Sequence, residues 1–189
     1  MRKLIYLIWF LPCICLAQTK DDLFYLIDKF PLDKAGNVHW CITDSITNTN
    51  RESLHSRAIQ AIDYFFKDSP APYSGANDMI TYRGRFGRYE RAKKTFSTVF
   101  NEYIYRFTLN IEYKDNWYKI DIYDISESTG NITTDLSTMI NKEYYNKTRL
   151  TAGALKSKYY SIYFVYNYLT SKIRSIDLFM KQTGQRIGK

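Results

Sequence analysis

The sequence predicts an α+β fold, in which an antiparallel sheet of about four strands carries helices on one of its faces. Two alternating apolar runs, 103–114 and 117–126, flank a two-residue turn and predict a β-hairpin. Apolar residues at helical spacing predict an amphipathic helix over 51–67 and a long C-terminal helix over 154–180. The predicted order is helix, strand, helix, three strands, helix. Helices stacked on one face of an antiparallel sheet bury the apolar surfaces of both layers.

The predicted hairpin has a register that its own residues specify. When Lys114 is placed opposite Trp117, the apolar residues of both strands fall on one face: Leu109, Ile111, Tyr113, Tyr118, Ile120 and Ile122. The other face then pairs Glu112 with Lys119, which carry opposite charges. One apolar and one largely polar face are typical of an antiparallel sheet that is covered on one side only.

The remaining elements follow from shorter patterns. Apolar residues at helical spacing predict a first helix over 22–30, and alternation predicts a strand over 37–44. We predict a further strand over 78–86, followed by a basic loop. The stretch 131–149 is weakly patterned. The long helix is expected to pack on the sheet through one stripe of residues: Tyr159, Ile162, Tyr163, Tyr166, Leu169, Ile173 and Ile176.

Residues 1–17 have the features of a cleaved signal peptide. A basic start, Met1-Arg2-Lys3, precedes an uncharged apolar run over 4–11, and Ala17 is a small residue suited to the cleavage site. The chain becomes polar directly afterwards. This pattern predicts export to the periplasm or beyond, and a single α+β domain over 18–189.

Two other interpretations of this segment are disfavoured. The apolar run is shorter than the roughly 20 residues that a membrane-spanning helix needs. A lipoprotein would require a small residue before the lipidated cysteine, but Pro12 precedes Cys13 and Ile14 precedes Cys15.

Cysteine content and charge limit the exported domain further. Of three cysteines only Cys41 lies outside the signal peptide, so no internal disulfide is expected. Since Arg2 and Lys3 are removed with the signal peptide, the formal charge falls from +8 to +6. Mixed charges with a mild basic excess favour solubility and a weak preference for acidic surfaces.

Common catalytic and cofactor motifs are missing from the sequence. There is no Gly-x-Ser-x-Gly, and the glycines of 84–87 lack the Gly-Lys-Ser/Thr of a phosphate-binding loop. His39 and Cys41 share one face of a predicted strand, where a structural cysteine is the commoner interpretation. We therefore predict no catalytic residue, no metal site and no cofactor. If the protein were an enzyme, its site would lie near His39, His55 or Asp121.

Paired carboxylates give no acid/base site in this prediction. Asp121 and Asp124 lie close together in the second strand of the hairpin. Strand alternation places residues three positions apart on opposite faces, so we expect these two carboxylates to point away from each other.

The most unusual segment is 82–94, in which arginine and lysine alternate with aromatic residues. Such composition suits nucleic acids or acidic glycans, and predicted export argues against nucleic acid. The alternative is a strand edge and loop that charge keeps soluble and protects from edge pairing. The candidate binding residues are Arg83, Arg85, Arg88, Arg91, Tyr82 and Tyr89.

The strand with Trp40, the helix over 51–67 and the hairpin segment 111–120 together resemble a bacterial domain family of unknown function. This family occurs in secreted and envelope proteins of the Bacteroidetes, where a signal peptide precedes a fold like that of the TATA-box-binding protein. The hairpin turn usually has glycine where this chain has Asn116, which also tolerates positive φ. The resemblance covers about 30–126, leaving 131–181 as a C-terminal helical extension. It implies a fold and a location, and such a fold does not imply DNA binding.

These observations predict an exported, non-catalytic binding module of the periplasm or cell envelope. An envelope protein or an anionic glycan is the expected class of partner. Two alternatives remain open at this point: an enzyme with an unrecognised site, and a structural envelope or assembly protein that uses its tyrosine-rich C-terminal helix as an interaction face.

Overall fold

The computed structural model describes residues 19–67, 74–76, 78–94 and 97–182, so the predicted signal peptide lies outside the described residues. The elements in chain order are α1 (Lys20–Ile27), β1 (Trp40–Ser45), α2 (Arg51–Phe65), β2 (Ser74–Ala76), β3 (Met79–Lys94), β4 (Ser97–Lys114), β5 (Trp117–Thr129), β6 (Ile132–Asp135), α3 (Leu136–Met139), α4 (Lys142–Lys147) and α5 (Ala152–Lys181). Helix α1 begins earlier than predicted because Thr19 and Asp22 form a reciprocal capping box.

Antiparallel pairing joins the strands in the order β1-β5-β4-β3-β2, and β6 pairs with β5. The α+β class with helices and a long C-terminal helix is confirmed. Within the described residues the sheet has six strands rather than about four. The two additional strands, β2 and β6, are only three and four residues long, which is too short for alternation to reveal them.

The basic segment after Phe86 is strand, and the prediction of a loop there is wrong. Strand β3 continues to Lys94 and pairs with β4 along its whole length. Charged residues at alternate positions are compatible with a strand that has one face in water. The charges alone therefore did not distinguish a loop from a half-exposed strand.

The predicted register of the β4–β5 hairpin is confirmed. Lys114 lies opposite Trp117, and the cross-strand apolar pairs are those predicted. Lys119 Nζ lies 3.8 Å from Glu112 Oε1 on the polar face. Asn116, at the turn, has φ +58°, the left-handed conformation that asparagine tolerates.

A β-bulge interrupts this hairpin further along. Asp124 and Ile125 lie between the pairs Thr108–Tyr123 and Arg106–Ser126, where β4 contributes one residue. Asp124 has φ +51°, and Ile125 returns to the buried side with 3% exposure. The bulge thereby shifts the alternation of β5 by one position.

The hydrophobic core lies between one face of the sheet and helices α1, α2 and α5. The buried face of α5 comprises Ile162, Val165, Leu169, Ile173, Ile176, Phe179 and Met180. Tyr163, which the predicted stripe included, is 46% exposed instead. Within the described part of the chain, no helix combines the length and apolar character needed to cross a membrane.

An aromatic layer in this core requires a glycine in the middle of β3. A Cβ atom on Gly84 would lie 2.2 Å from Cζ of Phe107 and 2.6 Å from the ring of Tyr82. Phe107 packs on Phe66, with ring centroids 5.4 Å apart. Because the space above Gly84 is filled by rings, this glycine serves core packing.

Candidate functional site: the open face of the sheet

The face of the sheet opposite α2 and α5, here called the open face, is polar. Along β3 the side chains alternate between the two layers. Ile80, Tyr82 and Phe86 are buried on the helix side, while Arg83 and Arg85 are exposed on the open face. This alternation follows directly from strand geometry, in which successive side chains point to opposite faces.

Four arginines on the open face, Arg83, Arg85 and Arg91 of β3 and Arg106 of β4, form what we call the arginine stripe. Arg85 lies directly opposite Arg106 in the register, and Arg83 lies opposite Thr108. Side chains that are directly opposite lie about 5 Å apart at Cβ, and like charges there are destabilising. Within the described residues, no acidic side chain forms an ion pair with these four arginines.

Two contacts flank the arginine stripe. Arg106 donates a hydrogen bond from Nη1 to Oγ of Ser128 on the neighbouring strand β5. Tyr89, which is 69% exposed, donates its hydroxyl to Oε1 of Glu102 at 2.9 Å. The aromatic ring of Tyr89 therefore lies on the same face as the cationic groups of the stripe.

The structure divides the six candidate binding residues between the two faces. Arg83, Arg85, Tyr89 and Arg91 lie on the open face, and their binding role stays a prediction. Tyr82 is only 1% exposed and stacks on Phe66 in the core, with ring centroids 5.0 Å apart. A buried ring cannot contact a partner, so Tyr82 is removed from the predicted binding surface.

Arg88 also lies on the helix side. It donates hydrogen bonds from Nη2 to Oγ of Ser161 at 2.7 Å and to Oε2 of Glu90 at 3.2 Å. Its guanidinium stacks over the ring of Tyr103, 4.5 Å from the centroid. Arg88 thus links β3 to α5 by a hydrogen bond and does not belong to the arginine stripe.

Arg106 is the stripe residue that sequence reasoning missed. It lies 12 positions beyond Lys94, the last residue of the basic segment, and only cross-strand pairing brings it beside Arg85. A strand prediction extended beyond Phe86 would have placed it there, since β3 and β4 then form a second long hairpin.

A second feature of the open face is a polar concavity of about 470 Å³ around Asp121. The Asp121 side chain is 6% exposed, and its two oxygens receive His39 Nε2 at 2.8 Å and Lys119 Nζ at 2.6 Å. Cys41 lies directly opposite Asp121 on β1. The residues that line the concavity are Asp33, Asn37, Val38, His39, Asn110, Glu112, Lys119, Asp121, Tyr123, Asp124, Ile125, Asp135 and Ser137.

The electrostatics of this concavity follow from Asp121. Its hydrogen bond raises the pKa of Lys119 above the usual value, so Lys119 is held as an ammonium ion. Partial burial, and then Asp121 itself, raise the pKa of the Cys41 thiol. Cys41 is exposed, yet its environment favours the neutral thiol, which is a poor nucleophile.

The bulge changes the relation between the two carboxylates. Asp121 and Asp124 line the same concavity, so the prediction that they point to opposite faces is wrong. The extra residue in β5 cancels the alternation on which that prediction depended.

His55 lies elsewhere, on α2. Its Nδ1 is 2.5 Å from the hydroxyl of Tyr113, whose ring belongs to the helix side of the sheet. The structure therefore brings His39 and Asp121 together but separates both from His55. No group of three or more metal-ligating side chains occurs among the residues the structure describes.

Comparison with solved structures identifies the fold. A DUF4468 family protein from Bacteroides ovatus is 15% identical and superposes with a TM-score of 0.57, over 89% of this chain and 99% of its own. A TBP-like protein from Parabacteroides distasonis is 16% identical, with a TM-score of 0.51 over 78% of this chain and 96% of its own. The fold is therefore like that of the TATA-box-binding protein. No protein-family model and no curated protein sequence matches the chain.

Proposed function

We propose that this protein is an exported, non-catalytic binding module of the periplasm or cell envelope, and that its arginine stripe contacts an anionic partner. The predicted signal peptide supports export. The fold is shared with proteins from two Bacteroidetes species, which agrees with the family resemblance. Because fold alone does not specify function, the binding role is argued from the stripe.

The observation that carries the proposal is the direct opposition of Arg85 and Arg106. Like charges directly opposite each other on neighbouring strands cost stability, and no acidic side chain among the described residues forms an ion pair with either arginine. An anion bound by both guanidinium groups would relieve this repulsion and so stabilise the folded chain. Arginine suits this role because its planar donors can hold carboxylate, sulfate or phosphate oxygens in pairs.

The binding test measures affinity for a polyanion. The mature protein, residues 18–189, is titrated with heparin at low and at moderate salt. Replacement of both Arg85 and Arg106 by Ala should weaken binding by at least about tenfold, and the loss should shrink as salt rises. The matched control replaces two exposed arginines elsewhere, Arg149 and Arg174, which removes the same charge.

Equal losses in the two double variants would contradict the proposal, because net charge alone would then explain binding. Undetectable heparin binding by the unaltered protein, at low salt, would count against an anionic partner. Export is tested separately by fractionating cells that carry the full chain or a chain without residues 2–17. Retention of both forms in the cytoplasm would overturn the localisation.

An enzyme is the second candidate, favoured by one observation. The carboxylate of Asp121 orients His39 beside a concavity, as a general base is oriented in many hydrolases. Against it, the same carboxylate is shared with Lys119, and the nearby thiol is held neutral. Turnover of any substrate in a hydrolase panel that is lost in His39→Ala would favour this candidate over the binding module.

A further inference from the structure

We propose that the outer edge of β3 accepts an extended peptide segment as an additional strand, and that this segment alternates acidic with apolar residues. The inference rests on the proposed anion binding by the arginine stripe and specifies its partner. It is carried by three observations: an unpaired strand edge, alternate arginines along that edge, and an aromatic concavity beside it.

Among the residues that the structure describes, no strand pairs with the outer edge of β3 over most of its length. Strand β2 pairs only with Met79–Thr81, at the start of β3. Beyond Thr81, β4 is the one strand that the described residues supply to β3. A strand edge of this kind presents a row of backbone donors and acceptors, which is a template for another strand.

Strand geometry identifies the backbone groups that point outward. The carbonyl oxygen of Asp78 accepts a hydrogen bond from the N–H of Tyr113 on β4, so Asp78 and every second residue after it direct their backbone groups toward β4. Met79 and Thr81 thus direct their N–H and C=O groups away from β4. Continued alternation directs the same groups outward at Arg83, Arg85, Gly87, Tyr89 and Arg91.

These outward-pointing residues are also the ones whose side chains lie on the open face. A strand added here would place its own open-face side chains about 5 Å from those of Arg83, Arg85 and Arg91. Acidic residues at alternate positions of the partner would neutralise these charges. The repeat of an extended peptide equals that of β3, about 7 Å for every second residue, so the charges stay aligned.

On the helix side of the same edge, aromatic rings favour apolar side chains in the partner segment. A concavity of about 530 Å³ lies along it. Its lining on this side combines the ammonium group of Lys172, which lies over three of the rings, with four aromatic residues: Phe65, Phe66, Phe86 and Tyr168. The concavity also reaches Arg85 and Gly87, where the missing side chain leaves room beside the strand. The partner's remaining side chains would point into this space.

A peptide accounts for these features better than a polyanionic glycan does. A glycan could neutralise the arginines, but it offers no regular row of N–H and C=O groups for the β3 edge. Strand addition supplies affinity through backbone hydrogen bonds and specificity through alternate side chains. Both requirements are met by one extended acidic–apolar segment.

The test uses an end-capped peptide of about eight residues in which Glu alternates with Val, titrated into the mature protein. Amide hydrogen exchange is followed by NMR. Binding should protect the amides of Arg83, Arg85, Gly87, Tyr89 and Arg91. The intervening amides donate to β4 and should keep the exchange rates they have in the free protein.

Three variants separate strand addition from attraction of charge. The same peptide with N-methyl groups on alternate residues should bind at least about tenfold more weakly, since it keeps its charge but loses backbone donors. Replacement of Arg83 and Arg85 by Ala should weaken binding similarly. The Arg149 and Arg174 double variant should bind like the unaltered protein.

The outcomes distinguish this inference from the proposed function. Strand addition is overturned if the methylated peptide binds as well as its parent, or if amide protection does not alternate along β3. Polyanion binding can still stand in either case. If heparin binds but the peptide does not, a glycan is the favoured partner and the inference fails. If neither binds, both proposals fail.

Discussion

His39 Nε2 lies 2.8 Å from Asp121 Oδ1, although the two residues are 82 positions apart in the chain. The same carboxylate receives Lys119 Nζ at 2.6 Å. The buried carboxylate of Asp121 thus connects the segment before β1 to β5 on the open face. A buried carboxylate that contacts an ammonium group is strongly coupled to folding, because loss of its charge leaves the Lys119 ammonium ion without its counterion.

Asp121→Asn should destabilise the protein. The amide keeps the shape of the side chain but loses the charge that Lys119 and His39 contact, at a cost of about 2 kcal/mol in unfolding free energy. The pKa of Lys119 should fall toward its usual value at the same time. Urea unfolding measures the first effect, and NMR titration of the lysine Nζ measures the second. Asp124→Asn, an exposed carboxylate in the same concavity, is the matched control and should change stability little.

Arg85→Glu should stabilise the folded chain while it weakens heparin binding. The substitution converts a like-charge cross-strand pair with Arg106 into an opposite-charge pair, a gain of about 0.5 kcal/mol. Thermal unfolding at low salt gives the stability change, with Arg149→Glu as the control at an exposed position. Reduced stability in Arg85→Glu would show that the two guanidinium groups are not in conflict in the free protein.

Gly84→Ala should destabilise, and Gly87→Ala should not. A methyl group at Gly84 would overlap the rings of Phe107 and Tyr82, and overpacking of this kind costs about 1–3 kcal/mol. At Gly87 the nearest atom to a new Cβ is the carbonyl oxygen of Tyr103, at an ordinary contact distance of 3.6 Å. Urea midpoints of the two variants make the comparison. Equal midpoints would mean that the aromatic layer can shift to admit the methyl group.

Stability should fall as the solution becomes alkaline. Burial raises the pKa of Tyr145 from 10.0 to about 12, and its hydroxyl donates to the carbonyl oxygen of Met139 at 2.6 Å. The unfolded chain therefore loses this proton first, so the stabilisation is complete below pH 10 and declines as the pH rises toward 12. One such group can remove about 1.4 kcal/mol per pH unit.

Tyr145→Phe should show a shallower decline than the unaltered protein in urea unfolding series from about pH 9 to about pH 11.5. Some decline should persist, because burial also raises the pKa of Tyr105 and Tyr118. Tyr64→Phe, at an exposed tyrosine on α2, is the control and should leave the slope unchanged. If Tyr145→Phe and the unaltered protein decline in parallel, other groups control the alkaline response.

Local patterns determined the elements whose partners are close in sequence. The register of β4 against β5 follows from one two-residue turn at Asn116 and from strict alternation on either side of it. The bounds of α2 and α5 follow from apolar periodicity over many turns, with caps from Asn50 and Thr151. In each case the information lies within a short stretch of chain, so the sequence predicts it directly.

Only the tertiary structure decided which side chains share a surface. The pairing of β3 with β4 placed Tyr82 and Arg88 under the helices and brought Arg106 to Arg85. The bulge at Asp124 moved a carboxylate into the concavity of Asp121, and the segment before β1 supplied His39 from 82 positions away. These relations depend on cross-strand pairing and on one inserted residue, which the period of a single strand does not encode.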